Sequence, residues 1–185
     1  MGNWAGKGKI RISTVGKMNE KGFTLIEMAV VVLLTGVLVG IAVPRVKDTI
    51  AGDRLKKTTR QIIAVSRDLR NDSVREQVDY ELYFDIDNGA FWKCSSDMTS
   101  EKRAEVKRRA LKLPDGVGFR DIRIYGAAKK THGEAVVRFF KQGYMQPAVV
   151  HLMDGDKNMT LIFNPFITRV KIQDDYVDVW QKTSE

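Results

Sequence analysis

The sequence predicts an α+β chain: one long N-terminal helix, transmembrane in its first half, packed on antiparallel β-sheet. Three observations predict it. Residues 23–43 (FTLIEMAVVVLLTGVLVGIAV) hold only Thr24, Glu27 and Thr35 as polar members. Ala51, Leu55, Thr58, Ile62, Val65 and Leu69 then recur at helical spacing. From Val78 onward the hydrophobic period changes to two.

The 21-residue run comes first. As a helix it is about 31 Å long, the hydrocarbon thickness of a bilayer. It shows no amphipathic period, unlike a soluble core helix. Gly40-Ile41-Ala42 resembles a small-x-small cleavage site, so a cleaved secretory signal is the competing reading. Against it stand the length of the run and a carboxylate near its start. Lys and Arg flank both ends (Lys17 and Lys21 before; Arg45, Lys47, Arg54, Lys56 and Lys57 after), so charge alone leaves the orientation open.

Glu27 is out of place. An ionisable group in a membrane segment costs at least a few kcal/mol, which marks it as functional with a partner to be named. The structural alternative is a carboxylate near the helix start that snorkels to the headgroups and favours the helix dipole.

Lys21-Gly22-Phe23-Thr24-Leu25-Ile26-Glu27, followed directly by the apolar run, resembles the class III signal of the type IV pilin and pseudopilin superfamily. The resemblance implies that a prepilin peptidase cuts after Gly22 and N-methylates Phe23. It implies that Glu27 is the assembly residue, its charge pairing with a neighbouring subunit's N-terminal amine inside lipid. Pro44 falls where many members carry a helix-kinking proline. The chain then divides into a leader (1–22), a transmembrane and assembly helix (23–43) and a periplasmic pilin-like domain (44–185). A leader of 22 residues is long for a pseudopilin, and Met18 offers an alternative start.

The later elements follow in order. The helix continues to about Gln77, with Arg54, Lys56, Lys57, Arg60, Arg67, Asp68 and Arg70 off the apolar stripe. Val78, Tyr80, Leu82, Phe84 and Ile86 alternate as a strand, Asp87-Asn88-Gly89 turns the chain, and residues 90–94 return. A short helix is expected over 100–110 and a turn at Pro114-Asp115-Gly116. Strands are expected at 118–125, 134–140, 148–153, 159–163 and 167–172. The early hairpin, with Phe140-Lys141-Gln142-Gly143, Pro147-Ala148-Val149-Val150-His151-Leu152 and Phe163-Asn164-Pro165-Phe166-Ile167-Thr168-Arg169-Val170, is similar to the GspH/FimT-type minor pseudopilin of type II secretion. The lone Cys94 disfavours a major pilin with a disulfide-closed loop.

Net charge is +8, yet residues 1–22 hold five basic residues against one acid, and the rest of the chain is near balance at 26 to 22. Bulk charge therefore does not argue for nucleic acid. No catalytic pairing and no metal-ligand spacing emerges, so neither enzyme nor cofactor is expected. Asp154-Gly155-Asp156-Lys157-Asn158 lacks the glycine and glutamate of a calcium loop and reads as a hairpin turn. Asp174, Asp175 and Asp178 read as a solvated tail rather than a cation site. Cys94 reads as a small buried hydrophobe, His132 and His151 as structural or exposed.

The resemblance implies a non-enzymatic, single-pass inner-membrane subunit, with its C-terminal domain in the periplasm, that starts or tips a pseudopilus. Its partners would be other pilins or pseudopilins in a helical fibre, the prepilin peptidase and the inner-membrane assembly platform. Two alternatives remain. A minor type IV pilin for DNA uptake would use Lys102, Arg103, Lys107, Arg108 and Arg109. A membrane-anchored binding module would never polymerise.

Overall fold

The computed structural model describes residues 22–166 and 170–180, with backbone only for 43–49. The leader to Lys21, the alternative start at Met18 and the expected strand residues Ile167, Thr168 and Arg169 lie outside the described residues. The chain forms two compact units, one ending at Ala42 and the other beginning at Val43.

Helix α1 spans Leu25–Glu76, and its backbone is helical through Pro44. Within the second unit Ala51, Leu55, Thr58, Thr59, Ile62, Ser66, Leu69 and Ser73 are buried. The stripe thus follows the predicted spacing, but Ser66 rather than Val65 lies at its centre. Ser66 is accommodated because its hydroxyl donates to the Ile62 carbonyl at 2.7 Å. Two basic residues expected off the stripe turn back to the sheets. Arg54 grips Asp154 through two bonds of 2.7 and 2.9 Å, and Arg70 Nε donates to the Gly143 carbonyl at 2.5 Å. The helix ends at Gln77, whose φ of 55° is the left-handed C-terminal stop.

The remaining elements are β1 (Tyr80–Asp85), β2 (Ala90–Ser95), α2 (Ser100–Arg108), β3 (Leu111–Lys112), β4 (Val117–Ile124), β5 (Glu134–Phe139), β6 (Ala148–Asp154), β7 (Lys157–Phe163) and β8 (Lys171–Asp174). Among the described residues the expected antiparallel strands form two four-stranded sheets, in the orders β3-β2-β1-β5 and β4-β6-β7-β8. All the pairings are antiparallel. Of the expected strand 167–172, the described part is 170–172, of which Lys171 and Ile172 open β8.

The inner faces of both sheets and the α1 stripe share one core. Leu82 and Phe84 of β1, Val137 and Phe139 of β5, Val150 and Leu152 of β6, and Leu161 and Phe163 of β7 meet Leu55, Ile62 and Leu69 there. A register shift between Phe119 and Asp121 puts one extra residue into β4. It lets Phe119 and Ile122 both join the core, although their spacing of three does not suit an unbroken strand. Asp154-Gly155-Asp156-Lys157 forms the expected hairpin turn, with Asp154 paired to Lys157 and Gly155 at φ +58°, the positive value its first loop position requires. Cys94 is buried, as expected.

Helix α2 buries none of its residues. It is held instead by Arg103, which donates to Glu81 Oε2 at 3.0 Å, the Tyr83 hydroxyl at 3.2 Å, and the Ser95 and Ser96 carbonyls at 3.2 and 3.0 Å.

Candidate functional site: the N-terminal segment

Gly22 and Phe23 precede the helix in non-helical backbone, and both are exposed. A Cβ added to Gly22 would meet no atom within 4 Å. Nothing in the fold itself therefore demands glycine there, and any such demand comes from outside the chain.

Thr24 caps α1. Its hydroxyl accepts from the Glu27 N–H at 3.3 Å, and its carbonyl accepts from the Met28 N–H at 3.2 Å. The first of these engages one of the amides that a helix start leaves without a partner, and the second is the first bond of the helix ladder. The signal was legible as Thr-x-x-Glu, half of a capping box, although Glu27 alone drew the functional reading. Glu27 stands exposed in the first turn, where its charge favours the positive end of the helix. Of the four residues expected to carry function, the structure brings Gly22, Phe23 and Glu27 within one helical turn of Thr24. Pro44 lies inside α1, and its side chain is outside the described residues.

Leu25–Ala42 is long and apolar enough to cross a membrane and is 0% buried within the protein. Twelve large aliphatic or Met side chains are exposed along it, from Leu25 at 89% to Val30 and Val31 at 48%. Leaving that surface in water costs on the order of 10 kcal/mol, as much as a whole domain's stability. Lipid or other apolar helices must cover it. Inside the segment Thr35 is silenced by donating to the Val31 carbonyl at 2.7 Å.

The basic cluster expected of a nucleic-acid binder is mostly engaged. Arg103 pairs with Glu81 at 3.0 Å, Lys107 with Glu134 at 2.6 Å and Arg109 with Glu105 at 2.8 Å. The Glu134 bond and charge raise the Lys107 pKa, which holds that ammonium to its internal partner.

Residues 17–43 match the prokaryotic N-terminal methylation motif. The crystal structure of the minor pseudopilin EpsH from the type II secretion system of Vibrio cholerae matches the fold with a TM-score of 0.50 at 12% identity, covering 68% of this chain and 98% of that one. The chain thus combines that N-terminal motif with a fold similar to a minor pseudopilin's. A second structure of EpsH from the same system gives a TM-score of 0.47 at 10% identity, covering 65% of this chain and 94% of that one. No curated protein sequence matches the chain. The pseudopilin likeness is one of fold; the methylation motif is a likeness of sequence that includes residues 22–27.

Proposed function

We propose that the chain is a minor pseudopilin of a type II secretion pseudopilus, anchored in the bacterial inner membrane with its C-terminal domain in the periplasm. Prepilin peptidase hydrolyses the Gly22–Phe23 amide and methylates the new Phe23 amine. The observation that carries this reading is the wholly unburied apolar helix preceded by an exposed Gly-Phe bond and a first-turn carboxylate.

The mechanism follows from electrostatics. Cleavage leaves an ammonium beside the positive end of α1, and Glu27 supplies a negative charge one turn away. Within one chain the two lie along the same helix end. Between neighbours offset along a fibre, the carboxylate of one meets the amine of another, and two lipid-buried charges neutralise each other. The apolar flanks pack together meanwhile, and Pro44, which has no N–H to give the helix ladder, loosens α1 at that point. The work is mechanical: the subunit starts or tips the fibre, with other pseudopilins and the assembly platform as partners.

The first experiment is the intact mass and N-terminal sequence of the protein extracted from its native membrane. The expected chain begins at methylated Phe23. A chain beginning at Met1 or Met18, with active prepilin peptidase present, overturns the reading. A start at Val43 would make the apolar run a secretory signal.

A further inference from the structure

Residues 175–180 are not a solvated tail. Strand β6 is buried on both faces from Ala148 to Leu152, and this C-terminal strap covers its outer face at His151. On that face Asp121, His151 and Thr160 stand in one row across β4, β6 and β7, none more than 3% exposed. The β4 bulge sets Asp121 opposite His151. The Thr160 hydroxyl donates to the Asp175 carbonyl at 2.7 Å and accepts from the Val177 N–H at 3.1 Å. The Tyr176 ring stacks on the His151 imidazole with 4.0 Å between centres. Arg123 pairs with Asp178 at 2.9 Å, and Trp180 packs edge-on against Tyr125.

His151 joins sheet to strap. Its Nδ1 lies 2.7 Å from Asp121 Oδ1 and its Nε2 lies 3.1 Å from the Val177 carbonyl oxygen. A carbonyl and a carboxylate only accept, so both ring nitrogens must donate and the imidazole carries two protons. If the proton between Nδ1 and Asp121 sits on the carboxyl instead, the pair still holds the same number. Loss of one proton leaves a single N–H for two acceptors. The charged Asp121 keeps it, and the Nε2 lone pair then points at the Val177 oxygen, turning a bond into a repulsion.

The surrounding charges act in both directions. Asp121 favours the extra proton. Arg120 and Lys129, 4.9 and 5.6 Å from the centre of the Tyr176 ring, oppose it, and Lys129 also donates to the Tyr176 hydroxyl at 3.1 Å. Asp178 is matched by Arg123. Asp174 on β8 and Asp175 on the strap are exposed and screened by water.

We propose that the Asp121–His151 pair is a proton-operated latch: the strap is docked while the pair holds its extra proton, and loss of that proton releases residues 175–180 and uncovers the outer face of β4, β6 and β7. Release therefore accompanies a rise in pH. The device is independent of the processing of the N-terminus.

Amide hydrogen exchange on the full chain in lipid nanodiscs tests it, as protection factors between about pH 5 and about pH 9. Protection at Val177 is expected to fall about tenfold or more as pH rises, while Leu161 in β7 stays protected. His151→Gln still offers an N–H to Val177 but has no proton to lose, so its Val177 protection should be flat across the range. Asp121→Asn keeps the acceptor and removes the charge, so the transition should move to lower pH. Constant wild-type protection at Val177 overturns the latch, as does a His151→Gln variant with the wild-type profile. Should His151→Gln fail to fold, an unmoved transition in Asp121→Asn overturns it equally.

Discussion

Helix α1 treats its two halves in opposite ways. Over Leu25–Ala42 none of the helix is buried within the protein, whereas past Ala51 every turn sets a side chain into the core, ending at Leu69 and Ser73. The same backbone geometry serves both. What differs is the solvent each half is written for: an apolar surface all round suits lipid or like helices, and a stripe suits one packed side. The membrane half thus draws its stability from outside the chain, the domain half from within it.

That separation can be broken or sharpened experimentally. The largest effect is expected of Phe84→Ala, which empties a site with 0% exposure and should cost the domain about 3–5 kcal/mol in thermal unfolding. Membrane retention should be unchanged; a variant that unfolds and also leaves the membrane would show that the halves are coupled. Leu33→Arg, at an exposed position within the span, should weaken insertion by about 2.5–3.5 kcal/mol, read as the membrane-retained fraction. Here the domain's unfolding temperature should stand still.

Smaller effects probe how the domain closes around its own part of the helix. Arg103→Ala removes the side chain that ties α2 to β1 and β2. It should cost about 1.5–3 kcal/mol locally, seen as faster amide exchange across α2 with the core unaltered. Tyr80 marks the join between α1 and β1: its hydroxyl donates to Glu76 at 2.5 Å, and that bond, with burial, pushes the phenol up to about 12. A phenol raised above its unfolded value stabilises the fold fully below the unfolded value. That contribution fades as pH climbs from about 10 to about 12. Tyr80→Phe should therefore flatten the alkaline limb of the stability curve, measured by unfolding across that window.

Much of this was readable in the residues. The apolar run, the helical stripe and the period-two strands predicted their elements to within a few residues, because burial on one face leaves its spacing in the sequence. The expectations at Gly22, Phe23 and Glu27 had a different origin: the resemblance of residues 21–27 to a class III signal implied them, and Glu27 also stood out as an ionisable group beside an apolar run. The errors share a cause. Arg54 and Arg70 looked like solvated charges, yet each found a partner far away in sequence. Residues 174–178 looked like a solvated tail because their acids hid what Tyr176 and Trp180 could cover.

The sequence by itself determined which segment is apolar enough to cross a membrane, where the helix gives way to strands and most of the residues that face the core. Those are local properties of period and hydropathy, and they need no knowledge of distant contacts. Only the tertiary structure decided that the strands divide into two sheets, that the β4 bulge faces Asp121 to His151, and that the strap seals the outer face. Strand order, bulges and the pairing of buried polar groups are settled by which surfaces complete each other's hydrogen bonds, and those partners lie up to about a hundred residues apart.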